Sequence, residues 1–375
     1  MRVLHLNAGN LYGGIETLLV TLARERGLCR DLEPRFALFF EGRLARELRA
    51  TGVPVSLLGP VRVRYPWKIL AVRRRLAALL EEERPGVVIT HGSWSHGIAA
   101  PVVRKSRVML AHWAHAPPGG GYWLDRWARR TPPDVAIANS RFTAASLRRL
   151  FPRVQTAVVY APVAALPKAM SHNREALRAS LETAGDGVVI VIACRLERWK
   201  GHLLLLEALG RLRDDSRWIA WIAGGPQRRH EQVYLEEIRV AAARAGILSR
   251  LRFLGQRTDL PDVLAAADIH CQPNQGAEPF GLAFVEALYA GLPIVTTAIG
   301  AAPEIVDATC GVLVPVEATA LATALARLIA EPGERLRLGA SGKVRARALC
   351  DPAARLEELR DLLTLDRAPT QARRS

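Results

Sequence analysis

Two carboxylates stand out by their spacing. Glu278 and Glu286 are separated by seven residues within Asn274–Pro293, NQGAEPFGLAFVEALYAGLP. Pro273, Gly276 and Pro279 break regular structure, which puts Glu278 in a loop. The apolar run after it predicts a helix over Leu282–Ala290, closed by Gly291 and by Pro293 just beyond. Glu286 is the only charged residue from Phe280 to Ala290, so it is expected to be largely buried. An unpaired buried charge costs several kcal/mol, so a hydrogen-bonding partner is expected for it. The same loop brings Glu278 beside the free amides of Gly281, Leu282 and Ala283. A helix N-terminus of this kind suits a ligand that carries phosphate or many hydroxyls.

Four other segments leave strands and enter loops. Cys194–Gly201, CRLERWKG, places Arg195 and Lys200 where they could clamp a diphosphate, Arg by its fork and Lys as a point charge; two solvated cations are the plainer alternative. Asn7–Glu16, NAGNLYGGIE, opens a helix at Gly13 and Gly14, whose amides could approach a phosphate, although Gly-Gly is more often a tight turn. Met109–Gly121, MLAHWAHAPPGGG, carries His112 and His115 just after a strand. Zinc chemistry needs a third ligand and none is near, so no metal is expected. Either one of these histidines is a polar, proton-accepting group facing a ligand, or it is a buried, hydrogen-bonded one. Ile299–Val306, IGAAPEIV, contributes Glu304, read first as a first-turn helix carboxylate. There is no P-loop, no Gly-x-Ser-x-Gly elbow and no Asp-x-Asp.

The elements that must hold these loops alternate in type. Short apolar strands are expected at Arg2–Asn7, Arg35–Phe40, Val53–Leu58, Val87–Thr90, Arg107–Ala111, Val135–Ala138 and Gln155–Tyr160, with helices between most of them. The pattern restarts at Val188–Ala193 and continues through Trp218–Ile222, Arg252–Leu254, Ile269–Gln272, Ile294–Thr296 and Val312–Val314. Strands alternating with helices predict parallel, doubly wound sheets, which bind ligands beyond the carboxyl ends of their strands. Pro162, Pro167 and Ser171–Arg174 read as the hinge. The expected organisation is two Rossmann-like α/β domains, 1–165 and 166–350, facing each other across a cleft. A helix over 351–367 packs back on the first domain, and a basic tail follows over 368–375.

Composition bounds the partners. The 375 residues carry a net charge of +16, and residues 1–165 hold 25 Lys and Arg against 11 Asp and Glu. A basic first half points to something anionic: a membrane face, a phosphorylated lipid or nucleic acid. An arginine-favouring genome is the plainer source of the charge. No nucleic-acid module or aromatic single-strand platform is recognisable, so nucleic acid is not expected. Five scattered cysteines without CxxC read as buried thiols of a reducing compartment. No apolar run approaches a membrane span and the start lacks the form of a signal peptide, so a cytoplasmic protein is expected, peripheral at most on the inner face of the membrane.

GGIE, IANSRFTAASL, CRLERWKG, IAGGPQ, FLGQRTDLPDVLAAADIHCQP, AEPFGLAFVEALYAGLPIV and IGAAPEIV occur in this order. In these segments the chain resembles the retaining glycosyltransferases of GT-B fold that carry the Glu-x7-Glu motif. The resemblance implies a metal-independent transfer of a sugar from a nucleotide-sugar co-substrate, with no further cofactor, to a glycan or lipid-linked acceptor in cell-envelope or exopolysaccharide synthesis. It implies that Arg195 and Lys200 bind the diphosphate, Glu278 touches the transferred sugar and Glu286 binds the ribose. The amides of Gly281 and Leu282 hold sugar and phosphate, Gly13 and Gly14 approach the donor phosphate, and His115, with His112 second, faces the reacting sugar. A non-catalytic nucleotide- or glycan-binding relative, and a disaccharide phosphorylase or synthase on the same fold, are the alternatives.

Overall fold

The computed structural model describes residues 1–119, 122–165, 174–183 and 185–365. Two compact units make up the chain: Met1–Ala164 together with the segment that begins at Cys350, and Ala165–Leu349. Hinge residues 166–173 and the basic tail lie outside the described residues.

In the first unit, strands β1 (Arg2–Asn7), β2 (Glu33–Leu38), β3 (Val55–Leu57), β4 (Val87–His91), β5 (Met109–Ala114), β6 (Val135–Ala138) and β7 (Gln155–Val158) form a parallel sheet ordered β3-β2-β1-β4-β5-β6-β7. In the second, β8 (Val188–Ala193), β9 (Trp218–Ala223), β10 (Leu251–Gly255), β11 (Ile269–Gln272), β12 (Ile294–Thr297) and β13 (Gly311–Val314) are ordered β10-β9-β8-β11-β12-β13, again parallel. Strand β8 reads VVIVIA and is buried along its whole length. Such a strand needs cover on both faces, and helices supply it. In the second unit Ile190, Ile192, Trp218 and Ile222 pack with Leu205, Ile238 and Leu325. In the first, Leu4, Leu6, Val88 and Leu110 pack under Leu76, Ile98 and Val103.

Helices run over Leu260–Ala266, Leu282–Ala290 and Ala318–Ala330, the second with the expected bounds. Gly281 and Gly291 cap the second of these, both with positive φ, 97° and 83°. Strand β5 runs three residues beyond its expected end, so His112 lies in the sheet rather than in the loop after it. Trp113 and Ala114 continue the buried alternation across both faces, which keeps the strand paired with β4 and β6. The helix Arg43–Ala50 between β2 and β3 was not expected; its apolar face is only Leu44, Ala45 and Leu48. The last helix, Pro352–Leu365, lies on the first unit: Val163 N–H bonds the Cys350 carbonyl at 2.9 Å, and Leu356 and Leu359 meet Val3 and Leu22 around one cavity. All five cysteines are free, and Cys194 alone is not buried.

Candidate active site

In the second unit three strand exits converge. Strand β8 ends into CRLERWKG, β11 into QPNQGAE and β12 into IGAAPE. The first two loops are fastened together by backbone. Gln275 and Gly276 N–H groups both donate to the Trp199 carbonyl, at 2.7 and 3.2 Å. Gly201 has φ +82°, and a Cβ there would lie 1.8 Å from the Pro273 carbonyl oxygen, so only glycine permits the approach. The third loop clamps Glu278: Ala301 N–H donates to the Glu278 carbonyl at 2.8 Å, in a short parallel bridge between Glu278 and Gly300.

The clamped loops bring Lys200 and Glu278 together. Lys200 Nζ donates to Glu278 Oε2 at 2.7 Å, with the two side chains only 12% and 8% exposed. Gln272 Nε2 and Asn274 Nδ2 donate to the same oxygen, at 3.2 and 3.3 Å. Gln272 Nε2 also donates to Asn274 Oδ1 at 3.0 Å, which locks the amides in place. Three donors therefore saturate Oε2 and leave Oε1 as the acceptor for a ligand. Lys200 likewise spends one of its three N–H bonds on Glu278, and its ammonium lies 4.0 Å from the centre of the Trp199 ring. Arg195 stands nearer solvent, 3.1 Å from Glu197.

Glu286 departs from expectation. Its carboxylate has no hydrogen bond or ion pair to the described residues, and it is partly exposed rather than sealed. Desolvation alone raises its pKa to about 7. The turn of helix that carries it buries Phe284, Val285, Ala287 and Leu288, and this apolar surround strips water from the carboxylate without supplying a protein donor in its place.

In the first unit the two sequence-chosen histidines part. His112 is buried on the face covered by the helix Ser93–Lys105, where its Nδ1 meets Thr90 Oγ1 at 3.2 Å and its ring packs against His96 and Phe151. His115 lies one residue past β5 and is partly exposed. Its Nε2 is 2.8 Å from His91 Nδ1, and its ring stacks on Trp113. Asp125 ties down the loop after it, accepting from Ser93 Oγ at 2.6 Å and from the Gly119 N–H at 2.8 Å. Gly13 adopts φ −168°, an extended form open to any residue, and caps the helix Gly14–Arg24. At that turn Glu16 is buried and accepts from Asn7 Nδ2 at 3.0 Å.

Gln272, Asn274, His5 and His91 were absent from the sequence candidates. A polar pair closing a buried strand, as in IHCQPN, was the available signal for the first two. His5 and His91 carried none, because their neighbours depend on strand register. Among the described residues no group of three or more His, Cys, Asp or Glu could hold a metal ion, and no helix is long and apolar enough to cross a membrane.

Comparison with known proteins matches residues 173–345 to the family described as "Glycosyl transferases group 1" and residues 12–164 to "Glycosyltransferase Family 4". A D-inositol 3-phosphate glycosyltransferase of Saccharomonospora viridis is 34% identical over 215 residues, 54% of this chain and 49% of that protein. A phosphatidyl-myo-inositol mannosyltransferase of Mycobacterium leprae is 36% identical over 149 residues, 38% of this chain and 37% of its own length. The matched stretches thus span half or less of these curated relatives. Anabaena HepE, solved in complex with UDP, superposes with a TM-score of 0.85 at 23% identity, over 97% of this chain and all of that one. A second HepE structure, with UDP-glucose, gives the same score.

Proposed function

The chain belongs to the group 1 glycosyltransferases of GT-B fold, and from that premise we propose that it transfers a sugar from a nucleotide-sugar donor to a glycan or lipid-linked acceptor, with retention and without a metal. The observation that carries the reading is the Lys200–Glu278 pair beside the N-terminus of the helix Leu282–Ala290. The remaining N–H bonds of Lys200, the guanidinium of Arg195 and the amides after Gly281 all favour a diphosphate. As the diphosphate leaves, its growing charge meets donors already in place, so stabilisation costs little reorganisation. Glu278 Oε1 accepts from a hydroxyl of the transferred sugar. Its other oxygen is ion-paired and doubly hydrogen-bonded, which makes the carboxylate a poor nucleophile and favours a positioning role. The acceptor hydroxyl then attacks from the face the diphosphate leaves, and a phosphate oxygen takes its proton. Glu286 receives the donor ribose on its open face. The nucleotide-sugar is a co-substrate, and no further cofactor is used.

The curated relatives named for inositol phosphates and phosphatidyl-inositol support an anionic acceptor, and the first unit has a surface for its membrane. The helix Pro66–Glu83 exposes Trp67 at 64% and Leu70 at 52%, with Arg64, Lys68 and Arg74 also exposed. Exposed aromatic and cationic side chains together suit the interface of an anionic bilayer.

UDP-glucose and GDP-mannose, each incubated with the chain, with and without EDTA, test the chemistry. One donor should be consumed at a rate EDTA leaves unchanged, and NMR of the product should show the donor's anomeric configuration. An inverted anomer, or loss of activity in EDTA, overturns the mechanism; consumption of neither donor counts against the transferase reading. Binding to phosphatidylglycerol vesicles should exceed binding to phosphatidylcholine vesicles and fall between 50 and 500 mM salt, roughly as charge screening dictates. Equal binding to both removes the membrane surface.

A further inference from the structure

Three histidines, from β1, from β4 and from the exit of β5 in the first unit, form one hydrogen-bonded line. His5 pairs in register with Ile89, and His91 with Trp113. Each next histidine therefore lies two residues beyond the partner of the one before, so all three side chains share one sheet face and step diagonally toward the carboxyl ends. His5 Nδ1 lies 3.0 Å from His91 Nε2, and His91 Nδ1 lies 2.8 Å from His115 Nε2. The ring planes differ by 26° and 15°, which suits in-plane N–H···N bonds. Phe36 stacks on His5, and Trp113 stacks on both His91 and His115. His5 and His91 are buried, and only His115 has appreciable exposure.

A proton count restricts this line. Burial holds His5 and His115 at about 3 and His91 well below its ordinary value, so all three rings are neutral at pH 7. Each neutral imidazole has one N–H and one lone pair. Three rings thus share three protons, and each of the two N···N contacts needs one of them. The third must sit at an end of the line, on His115 Nδ1 or on His5 Nε2. The tautomers are therefore coupled: all three rings are Nδ1–H, or all three are Nε2–H. His5 lines a small cavity with Arg26 and Cys29. His5 is 2% exposed whereas His115 is partly exposed, so the N–H left outside the line costs least at the His115 end, which places the third proton on His115 Nδ1.

We propose that His5 and His91 are positioning residues that fix His115 as an Nδ1–H donor, which hydrogen-bonds an oxygen of the bound sugar substrate and takes no proton from the acceptor. The role toward substrate rests on the glycosyl-transfer reading; the coupled tautomers do not.

Long-range proton–nitrogen correlation spectra of the full chain, labelled with 15N at histidine, test it at pH 7. His5, His91 and His115 should all show the Nδ1–H form. His91→Phe should release His115 to a mixture with Nε2–H and lower kcat about tenfold, with the donor KM unchanged. In His91→Asn a side-chain N–H replaces the Nδ1–H toward His115, so the His115 signal and most of the turnover should return. Nε2–H rings in the wild-type chain, an unmoved His115 tautomer in His91→Phe, or equal losses in Phe and Asn each overturn the proposal. The spectra need no turnover. Coupled Nδ1–H rings in a chain that consumes no sugar nucleotide would keep the positioning line and sink the transfer reading alone.

Discussion

The two units solve the problem of burying polar groups in opposite ways. The second sets a full ion pair, Lys200 with Glu278, under two amide side chains. The first lines up uncharged imidazoles from β1, β4 and the end of β5. A buried charge must be answered by a countercharge and by hydrogen bonds, so the second unit keeps its chemistry on loops fastened to one another. A buried neutral ring needs only donor–acceptor order, which neighbouring strands of a sheet can provide. Charge that must meet charge as it develops therefore belongs with the loop-borne ion pair of the second unit, and orientation of a single hydrogen bond with the imidazole line of the first.

Removing one partner of the charged pair separates the two most sharply. Lys200→Ala leaves Glu278 buried without its cation and strips the proposed diphosphate site of a donor. A fall in kcat of about 10²–10³ is expected, with a stability loss of about 3 kcal/mol for an unanswered buried charge. Steady-state kinetics and denaturant unfolding of the same preparation check both. Unchanged turnover in a folded Lys200→Ala would remove the lysine from the chemistry. The imidazole line should show no comparable loss of stability when His91 is replaced, because no charge is left behind.

Gly201→Ala tests whether fastening of the loops, rather than the pair itself, sets the geometry. The new methyl meets the Pro273 carbonyl, and φ +82° is strained for alanine. A cost of about 1–3 kcal/mol is expected, with kcat down by about tenfold or more as Lys200 shifts from its place. A full-rate Gly201→Ala would mean that the loop tolerates displacement.

The difference also explains what could be read from sequence. In the second unit the chemistry lies in short contiguous segments, so Lys200, Glu278 and the helix bounds at Leu282–Ala290 follow from glycine, proline and apolar patterning. What escaped there was Gln272 and Asn274, whose amides read as ordinary loop polarity until β11 and its exit were placed. In the first unit the bonded histidines are 86 and 24 residues apart in sequence. Their meeting depends on the strand order β1-β4-β5 and on a register that one residue of slip would reverse. The two readings of His112 stayed open for the same reason: its position in β5, on the face opposite Trp113, decides its surroundings, and the strand expected from sequence ended at Ala111.

Glu286 gives the smallest effect on catalysis and the only one expected to run in opposite directions for stability and function. Its folded-state pKa of about 7 lies above the usual carboxylate value of 4.5, because the carboxylate is desolvated without a protein partner. Ionisation therefore penalises the folded state. The penalty is complete above about pH 7, shrinks as pH falls toward 4.5, and is gone below it, where folded and unfolded chains are both protonated. Glu286→Gln keeps the shape and removes the charge. At pH 8 it should raise Tm by roughly 5–10 °C, and at pH 4 the two melting curves should coincide. The donor KM should rise several-fold in the same variant, since glutamine offers one acceptor where the carboxylate offers two. Higher Tm with a weaker donor would mark Glu286 as a residue kept at the expense of stability for its ligand. A lower Tm at pH 8 would mean that the carboxylate has a stabilising partner in the folded chain, and the contrast with the paired Glu278 would then fail.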